Sequence, residues 1–349
     1  MDGTLFAFKD RRPPEAAALR AVLDKITNAN NQHPCDQGRH PLSVRSIDSV
    51  RAIDCESETA DSRTDSRPLF ARSASRAAAM SKPPRKLAFV TAATDHGTFI
   101  VNRFDQMIVD GNQGYGVGLQ LLENAHYDPD EVNLLLRALD LRRQCYGDGV
   151  VAIDCGANVG VHTIEWAKHM TAWGAVLAIE AQERIYYALA GNIAINNCFN
   201  ARAIHAAISD RAGTMKIPVP NYSAAASFGS LELKQRDGTE FIGQAIDYSE
   251  SKMVEVPTVS LDSLNLARID LIKIDIEGME MDALAGAVHC IGNLHPILLI
   301  ETIKSDKNAI AAWLDKLGYT VLDIGINFFA IHADDKCLPH IKMANPAAA

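Results

Sequence analysis

Asp154 and Glu180 each end an apolar, strand-like run, and a glycine turn lies between them. The first run continues as Val150-Val-Ala-Ile-Asp-Cys-Gly-Ala-Asn-Val-Gly-Val-His-Thr, a buried strand that closes on an acid and then turns into a helix. Without side chains at Gly156 and Gly160, a ligand can approach the backbone, and the helix N-terminus attracts a carboxylate or phosphate. A dinucleotide fingerprint starting at Gly156 needs glycine at 158 and a small residue at 161, but Asn158 and Val161 stand there. No Gly-Lys-Ser/Thr follows, so a Walker-type phosphate loop is excluded as well. Asp154 is placed to meet an ammonium group, and Glu180, about 20–25 residues after the glycines, to accept two ribose hydroxyls. S-adenosylmethionine carries an ammonium, a carboxylate and a ribose. The predicted cofactor-binding set is therefore Asp154, Gly156, Asn158, Gly160, Thr163 and Glu180.

A second acidic group follows in Ile274-Asp-Ile-Glu-Gly-Met-Glu. Methyl transfer from a sulfonium is an in-line displacement, which requires an aligned nucleophile and a group to take its proton. Asp275 and Glu277 are the predicted catalytic carboxylates, because Gly278 frees the backbone beside them and no packing need explains the pair. Lys273 lies on the same strand face as Asp275 by period two, and can pair with it or with an acidic substrate. Glu280 reads equally as a solvated first-turn residue or as a site member. Carboxylates this close are expected to raise one another's pKa, which suits base work or cation binding. Asp275 and Glu301 could share a divalent ion such as Mg²⁺, although the expectation is a site without metal. Among the histidines, His162 and His205 read as structural, His295 carries no signal, and His126 with Tyr127 can reach a substrate pocket from the preceding segment. The Asp/Asn-Pro-Pro-Tyr/Phe loop of nucleic-acid amino methyltransferases is absent.

The elements that must position these residues alternate regularly. Strand-like runs occur at 150–154, 176–180, 203–208, 270–275, 297–301, 319–323 and 327–331, with helix-like spacing in most gaps. Val159, Thr163, Trp166 and Met170 form one helical stripe, and Met281, Leu284, Ala285 and Val288 another. Such alternation implies an α/β fold with a doubly wound, mainly parallel sheet. Residues 87–122 predict a small antiparallel cap. A helix over 130–146 opens at Asp128-Pro129-Asp130. Residues 213–261 break the pattern with Pro218, Pro220 and Pro257 and read as a β-rich insertion.

The chain has 349 residues, 48% hydrophobic and 22% charged, enough for one large domain with extra segments. A formal net charge of −9 excludes a broad basic footprint, so nucleic acid is not an expected partner. Seven scattered cysteines without a C-x-x-C pair suggest reduced thiols, not zinc or disulfides. The N-terminus lacks the apolar core of a signal peptide, and no apolar run approaches the ~20 residues of a membrane span, so a cytoplasmic location is expected. Residues 1–80 read as a disordered extension with one helix at 14–26, and Met80 as the functional start. The tract from Arg67 to Lys86 is basic without an acid, and reads as a solvated linker in preference to a polyanion tether.

Ile153-Asp-Cys-Gly-Ala-Asn-Val-Gly-Val-His-Thr resembles the signature of FkbM-type methyltransferases. Thr258-Val-Ser-Leu-Asp-Ser-Leu, Ile269-Asp-Leu-Ile-Lys-Ile-Asp-Ile-Glu-Gly-Met-Glu, Leu284-Ala-Gly-Ala and Leu298-Leu-Ile-Glu-Thr resemble its later motifs in the same order. The resemblance covers about residues 150–331 and departs at Cys155, where the family more often has a small or aliphatic residue. It implies a class I methyltransferase (Rossmann-like) fold with a seven-stranded sheet, the first strand central and the fourth and fifth beside it. It also implies S-adenosylmethionine-dependent O-methylation of a small-molecule or glycan acceptor, such as a sugar or natural product, with N-methylation or a non-catalytic cofactor-binding module as rivals. The expected organisation is an extension over 1–80, a cap and lead-in helix over 81–148, the catalytic domain over 149–334 and a tail over 335–349.

Overall fold

The computed structural model describes residues 86–109 and 113–341. The expected extension, its helix at 14–26, the Met80 start and nearly all of the basic tract lie outside them.

The cap consists of two hairpins, β1 (Phe89–Thr94) with β2 (Gly97–Asn102) and β3 (Met107–Val109) with β4 (Gln113–Tyr115). A short helix follows, α1 (Val117–Glu123). Sequence spacing gave no helix here, because Gly116 and Gly118 interrupt it. The helix is held from outside: Asp105 Oδ2 accepts from Gly118 N at 2.8 Å, and a Cβ at Gly118 would stand 2.4 Å from Asn102 O. The lead-in helix α2 (Pro129–Tyr146) begins as its sequence dictates, with Asp128 as N-cap, proline in the first turn, and Asp130 and Glu131 beside the positive helix end.

The chain continues through β5 (Val150–Cys155), α3 (Val161–His169), β6 (Gly174–Glu180), α4 (Glu183–Ile195), β7 (Ala201–His205), β8 (Ala207–Ile208), β9 (Gly213–Ile217) and β10 (Val254–Val259). After these come β11 (Leu271–Ile274), α5 (Glu280–Ala285), α6 (Val288–Leu294), β12 (Ile297–Glu301), α7 (Lys307–Lys316), β13 (Tyr319–Ile324) and β14 (Asn327–His332). The seven-stranded sheet runs β13-β14-β12-β11-β5-β6-β7, with β5 central and β11 and β12 beside it, and β14 antiparallel to its neighbours. This is the expected class I methyltransferase arrangement. Alternate residues of the central strands feed two cores. Val150, Ala152 and Leu271 face α2 and α3, while Ile153, Cys155, Ile272 and Ile274 face α5, α6 and α7. Burial on both faces explains why these strands read as continuous apolar runs.

Three boundaries differ from the sequence reading. The run 203–208 divides at Ala206, so that β7 edges the main sheet while β8 joins β10 and β9 in a separate three-stranded sheet. The helix after β11 breaks at Gly286, where a Cβ would meet Ser209 O at 2.3 Å, and gives α5 and α6. The insertion forms strands only at its ends, β9 and β10; between them the chain is irregular except for a single bridge of Ala226 to Asp105 and a short 3-10 turn at Phe228–Ser230. The stretch expected as a tail stays on the domain through Ile341. Cys337 is fully buried, and the buried Arg142 pairs with both Asp335 and Asp270. No helix among the described residues is long and apolar enough to cross a membrane.

Candidate functional site

Parallel register brings the acidic residues together. Lys273 pairs with Asp154 across β11 and β5 and with Leu299 across β11 and β12. Period two then puts Asp154, Lys273 and Glu301 on one face at the C-terminal end of the sheet, where α/β folds bind ligands. A cavity of about 310 Å³ opens there, and its wall includes Asp154, Gly156, Asn158, Gly160, Glu180, Lys273, Asp275, Glu277 and Glu301. All but one of the predicted site residues therefore converge. Thr163 is the exception: it is fully buried and reaches the cavity through Asp154, donating from Oγ1 to Asp154 Oδ2 at 2.6 Å.

Asp154 is 1% exposed, and its second oxygen, Oδ1, is buried with no hydrogen-bond partner. A buried acceptor left unpaired costs ~1–3 kcal/mol, which a cationic ligand group would offset. Glu180 has both oxygens aimed by the backbone, Oε2 accepting from Asn158 N at 3.0 Å and Oε1 from Gln182 N at 2.8 Å. Burial pushes its carboxyl up to about 7, against the lowering effect of those amides. The glycines of the wall also admit close packing of the protein itself. A Cβ at Gly156 (φ +77°) would stand 1.9 Å from Asp275 O, and one at Gly160 (φ +92°) 2.6 Å from Leu189 Cδ1. The bare backbone at Gly156 thus also seats the β5 loop on the β11 loop.

Two lysines face the second acidic group, which the sequence reading had not set against both carboxylates. Lys273 Nζ lies 3.0 Å from Asp275 Oδ2, and Lys304 Nζ 2.6 Å from Glu277 Oε2. Burial works against the Lys273 charge, but Asp275 and then Asp154 more than offset it, and the ammonium is held above its ordinary value. Glu277 takes the left-handed conformation (φ 56°), followed by Gly278 (φ 95°), against whose Cα the Arg236 guanidinium rests. Glu280 is neither solvated nor part of the cavity wall. It is 1% exposed, and its Oε1 accepts from Ile276 N and Gly278 N at 3.2 and 3.1 Å while Oε2 meets Ser305 Oγ. It staples its own loop and so shapes the segment that presents Asp275 and Glu277.

Asp275, Glu277 and Glu301 each offer an oxygen within 4.8 Å of the others. The set suits a hard cation in type and number, and includes Glu277, which the sequence did not propose as a ligand. Two of its members already face an ammonium.

Of the histidines, His162 lies 3.2 Å from Glu131 Oε1 and packs against Trp166, and Glu131 Oε2 accepts from Asn327 Nδ2 at 2.8 Å. These three residues join α3, α2 and β14 along the cavity wall. His205 Nε2 meets Ala181 O at 3.1 Å, and its ring stacks on Tyr186. His126 and Tyr127 do line the cavity, whereas His295 stacks on His332 elsewhere. Sequence reasoning missed Lys304 and Glu131, because their partners are remote in the chain.

Residues 154–321 match the methyltransferase FkbM domain. Methyltransferase 1 of Beauveria bassiana is 23% identical over 209 residues, 57% of this chain and 80% of that protein. Methyltransferase sdnD of Sordaria araneosa is 25% identical over 191 residues, 48% of this chain and 73% of that protein. Among solved structures, an FkbM methyltransferase from Methylobacillus flagellatus is similar at 17% identity and a TM-score of 0.36, covering 53% of this chain and 43% of that one. Residues 154–321, just under half of the chain, carry a methyltransferase FkbM domain.

Proposed function

We propose that this chain is an S-adenosylmethionine-dependent O-methyltransferase acting on an uncharged, hydroxyl-bearing acceptor such as a sugar, a glycan or a hydroxylated natural product. The observation that carries the donor assignment is the unpaired, buried Oδ1 of Asp154 in the wall of the same cavity as the preorganised carboxyl of Glu180. Asp154 would hold the ammonium and Glu180 the ribose hydroxyls, with Thr163 and Asn158 fixing the two acids. When bound, S-adenosylmethionine supplies an electrophilic methyl group on a sulfonium.

The acceptor class follows from charge. Eight aspartates and glutamates and one lysine, Lys273, line the cavity, and no arginine among the described residues does. Phosphate and carboxylate groups are ordinarily held by arginine and lysine, so an anionic acceptor is disfavoured. An amine in this setting would be held protonated by the surrounding carboxylates, and without its lone pair it is no nucleophile. A hydroxyl stays neutral and can donate a hydrogen bond to a carboxylate. Asp275, whose side chain is 23% exposed, is the acid on the cavity wall kept near Lys273, and it is positioned to orient and deprotonate the hydroxyl. Calorimetry with S-adenosylhomocysteine tests the donor site, and transfer of labelled methyl to neutral, amine and phosphorylated acceptor panels tests the rest. Label confined to the neutral panel, and lost in Asp275→Asn, is expected; donor binding without transfer to any panel would leave a cofactor-binding module instead.

A further inference from the structure

Lys304 follows β12 and is almost wholly enclosed, with 9% of its side chain exposed. Its ammonium meets three acceptors: Glu277 Oε2 at 2.6 Å, Glu240 Oε2 at 2.6 Å and the carbonyl of Ser230 at 2.8 Å. It donates a hydrogen bond to the carbonyl and is ion-paired with both carboxylates. The partners come from separate parts of the chain. Glu277 belongs to the site loop after β11, whereas Ser230 and Glu240 belong to the irregular part of the insertion. Glu240 Oε1 also accepts from Tyr115 Oη of the cap at 3.0 Å. One cation thereby joins the cap, the insertion and the ends of two central strands.

The stretch 227–240 is organised as a roof. Ser227, Gly229, Leu231 and Leu233 reach the cavity wall, while the buried Glu232 ties the stretch to itself. Its carboxylate accepts from Arg236 Nε at 2.9 Å, Thr239 Oγ1 at 3.3 Å and Glu240 N at 3.1 Å. The Arg236 guanidinium lies on Gly278 and donates to Lys304 O at 2.5 Å. The remaining ionic link from this stretch to the sheet layer, Lys234 with Asp282, is about half exposed on both sides, and such surface pairs contribute little. Phe228 anchors the start of the stretch, its N–H donating to Asp105 Oδ1 and its carbonyl accepting from Gln182 Nε2, both at 2.9 Å, and Tyr248 Oη donates to Glu232 O at 2.8 Å; an internally stiff segment moves as a unit when its fastenings part.

We propose that Lys304 is a positioning residue that latches this roof: it holds residues 227–240 closed over the cavity and Glu277 beneath them, and ligands enter and leave when the latch opens. The choice of ligand probe rests on the donor reading; the latch itself rests on the contacts above. Replacing the ammonium by a methyl leaves Glu240 and Glu277 facing one another across a buried space, which repels the roof outward.

The test compares wild type, Lys304→Met, Lys304→Arg and the surface control Lys234→Met. Two quantities are read: amide hydrogen exchange, segment by segment, and the dissociation rate of S-adenosylhomocysteine by stopped flow. In Lys304→Met, exchange over 230–240 and dissociation of the probe are both expected to accelerate ~10–100-fold, as loss of charge-assisted bonds implies. Exchange in α4 should stay unchanged, and Lys304→Arg should restore part of both effects. Values within twofold of wild type overturn the latch, as does acceleration spread evenly over the domain. If Lys304→Met does not fold, Glu240→Gln decides in its place: local acceleration over 230–240 supports the latch and its absence overturns it. If wild type binds no S-adenosylhomocysteine, the donor reading fails, and exchange over 230–240 alone decides the latch.

Discussion

Replacing Asp154 by asparagine separates a binding acid from a structural one. The carboxylate is 1% exposed, Thr163 satisfies Oδ2, and Oδ1 has no partner. Asparagine keeps the shape and an oxygen for Thr163, but removes the charge that an ammonium would meet. A hydrogen bond to a charged group contributes ~1.5–3 kcal/mol, so donor affinity should fall ~10–100-fold. Stability should change little, because the lost charge was itself unpaired at one oxygen; a melting temperature within ~3 °C of wild type corresponds to less than about 1 kcal/mol. Calorimetric titration with S-adenosylmethionine and a thermal melt without ligand give the two numbers. Unchanged affinity together with a large loss of stability would refute the reasoning, for it would make Asp154 a partner of Lys273 and Thr163 alone.

Glu180 predicts a pH dependence. Burial raises its folded-state carboxyl to about 7 from an ordinary 4.5, so its contribution to stability is fully present below about 4.5 and is lost as pH rises through about 7. Donor affinity should move the opposite way, weakening ~10-fold between pH 7.5 and 6 as the carboxylate is protonated, and Glu180→Gln should flatten that profile in calorimetry. Exhaustive chelation should leave methyl transfer unchanged, since Lys273 and Lys304 already face Asp275 and Glu277; activity lost to chelator and restored by Mg²⁺ would contradict this. Arg142→Met should destabilise the domain by ~3–5 kcal/mol in denaturant titration, because Asp270 and Asp335 would be left buried without their cation.

The central strands and the helix from Pro129 were legible because each announces itself locally: a continuous apolar run closed by an acid, or an aspartate cap followed by proline. The grouping of Asp154, the glycines and Glu180 at one cavity was legible for the same reason, since neighbouring elements carry them in register. What escaped was decided by contacts between distant segments. Nothing near Gly156 in sequence indicates that Asp275 O fills the space beside it, and nothing near Gly286 indicates that Ser209 O interrupts the helix there. The residues of the second acidic group do line the same cavity as Asp154, but their electrostatics depended on Lys304, whose partners Glu240 and Glu277 lie far from it along the chain. Glu280 read equally as a solvated first-turn residue or a site member and proved to be a buried staple, since helical phase alone does not reveal which loop folds back over it.

The most direct test of the account is methyl transfer followed to the product. With ¹³C-methyl S-adenosylmethionine and a panel of neutral polyhydroxylated acceptors, wild type should yield a methyl resonance characteristic of carbon bound to oxygen, and Asp154→Asn and Asp275→Asn should yield far less. A methyl carbon bound to nitrogen, or equal product from wild type and Asp154→Asn, would contradict the assignment of this cavity to O-methylation.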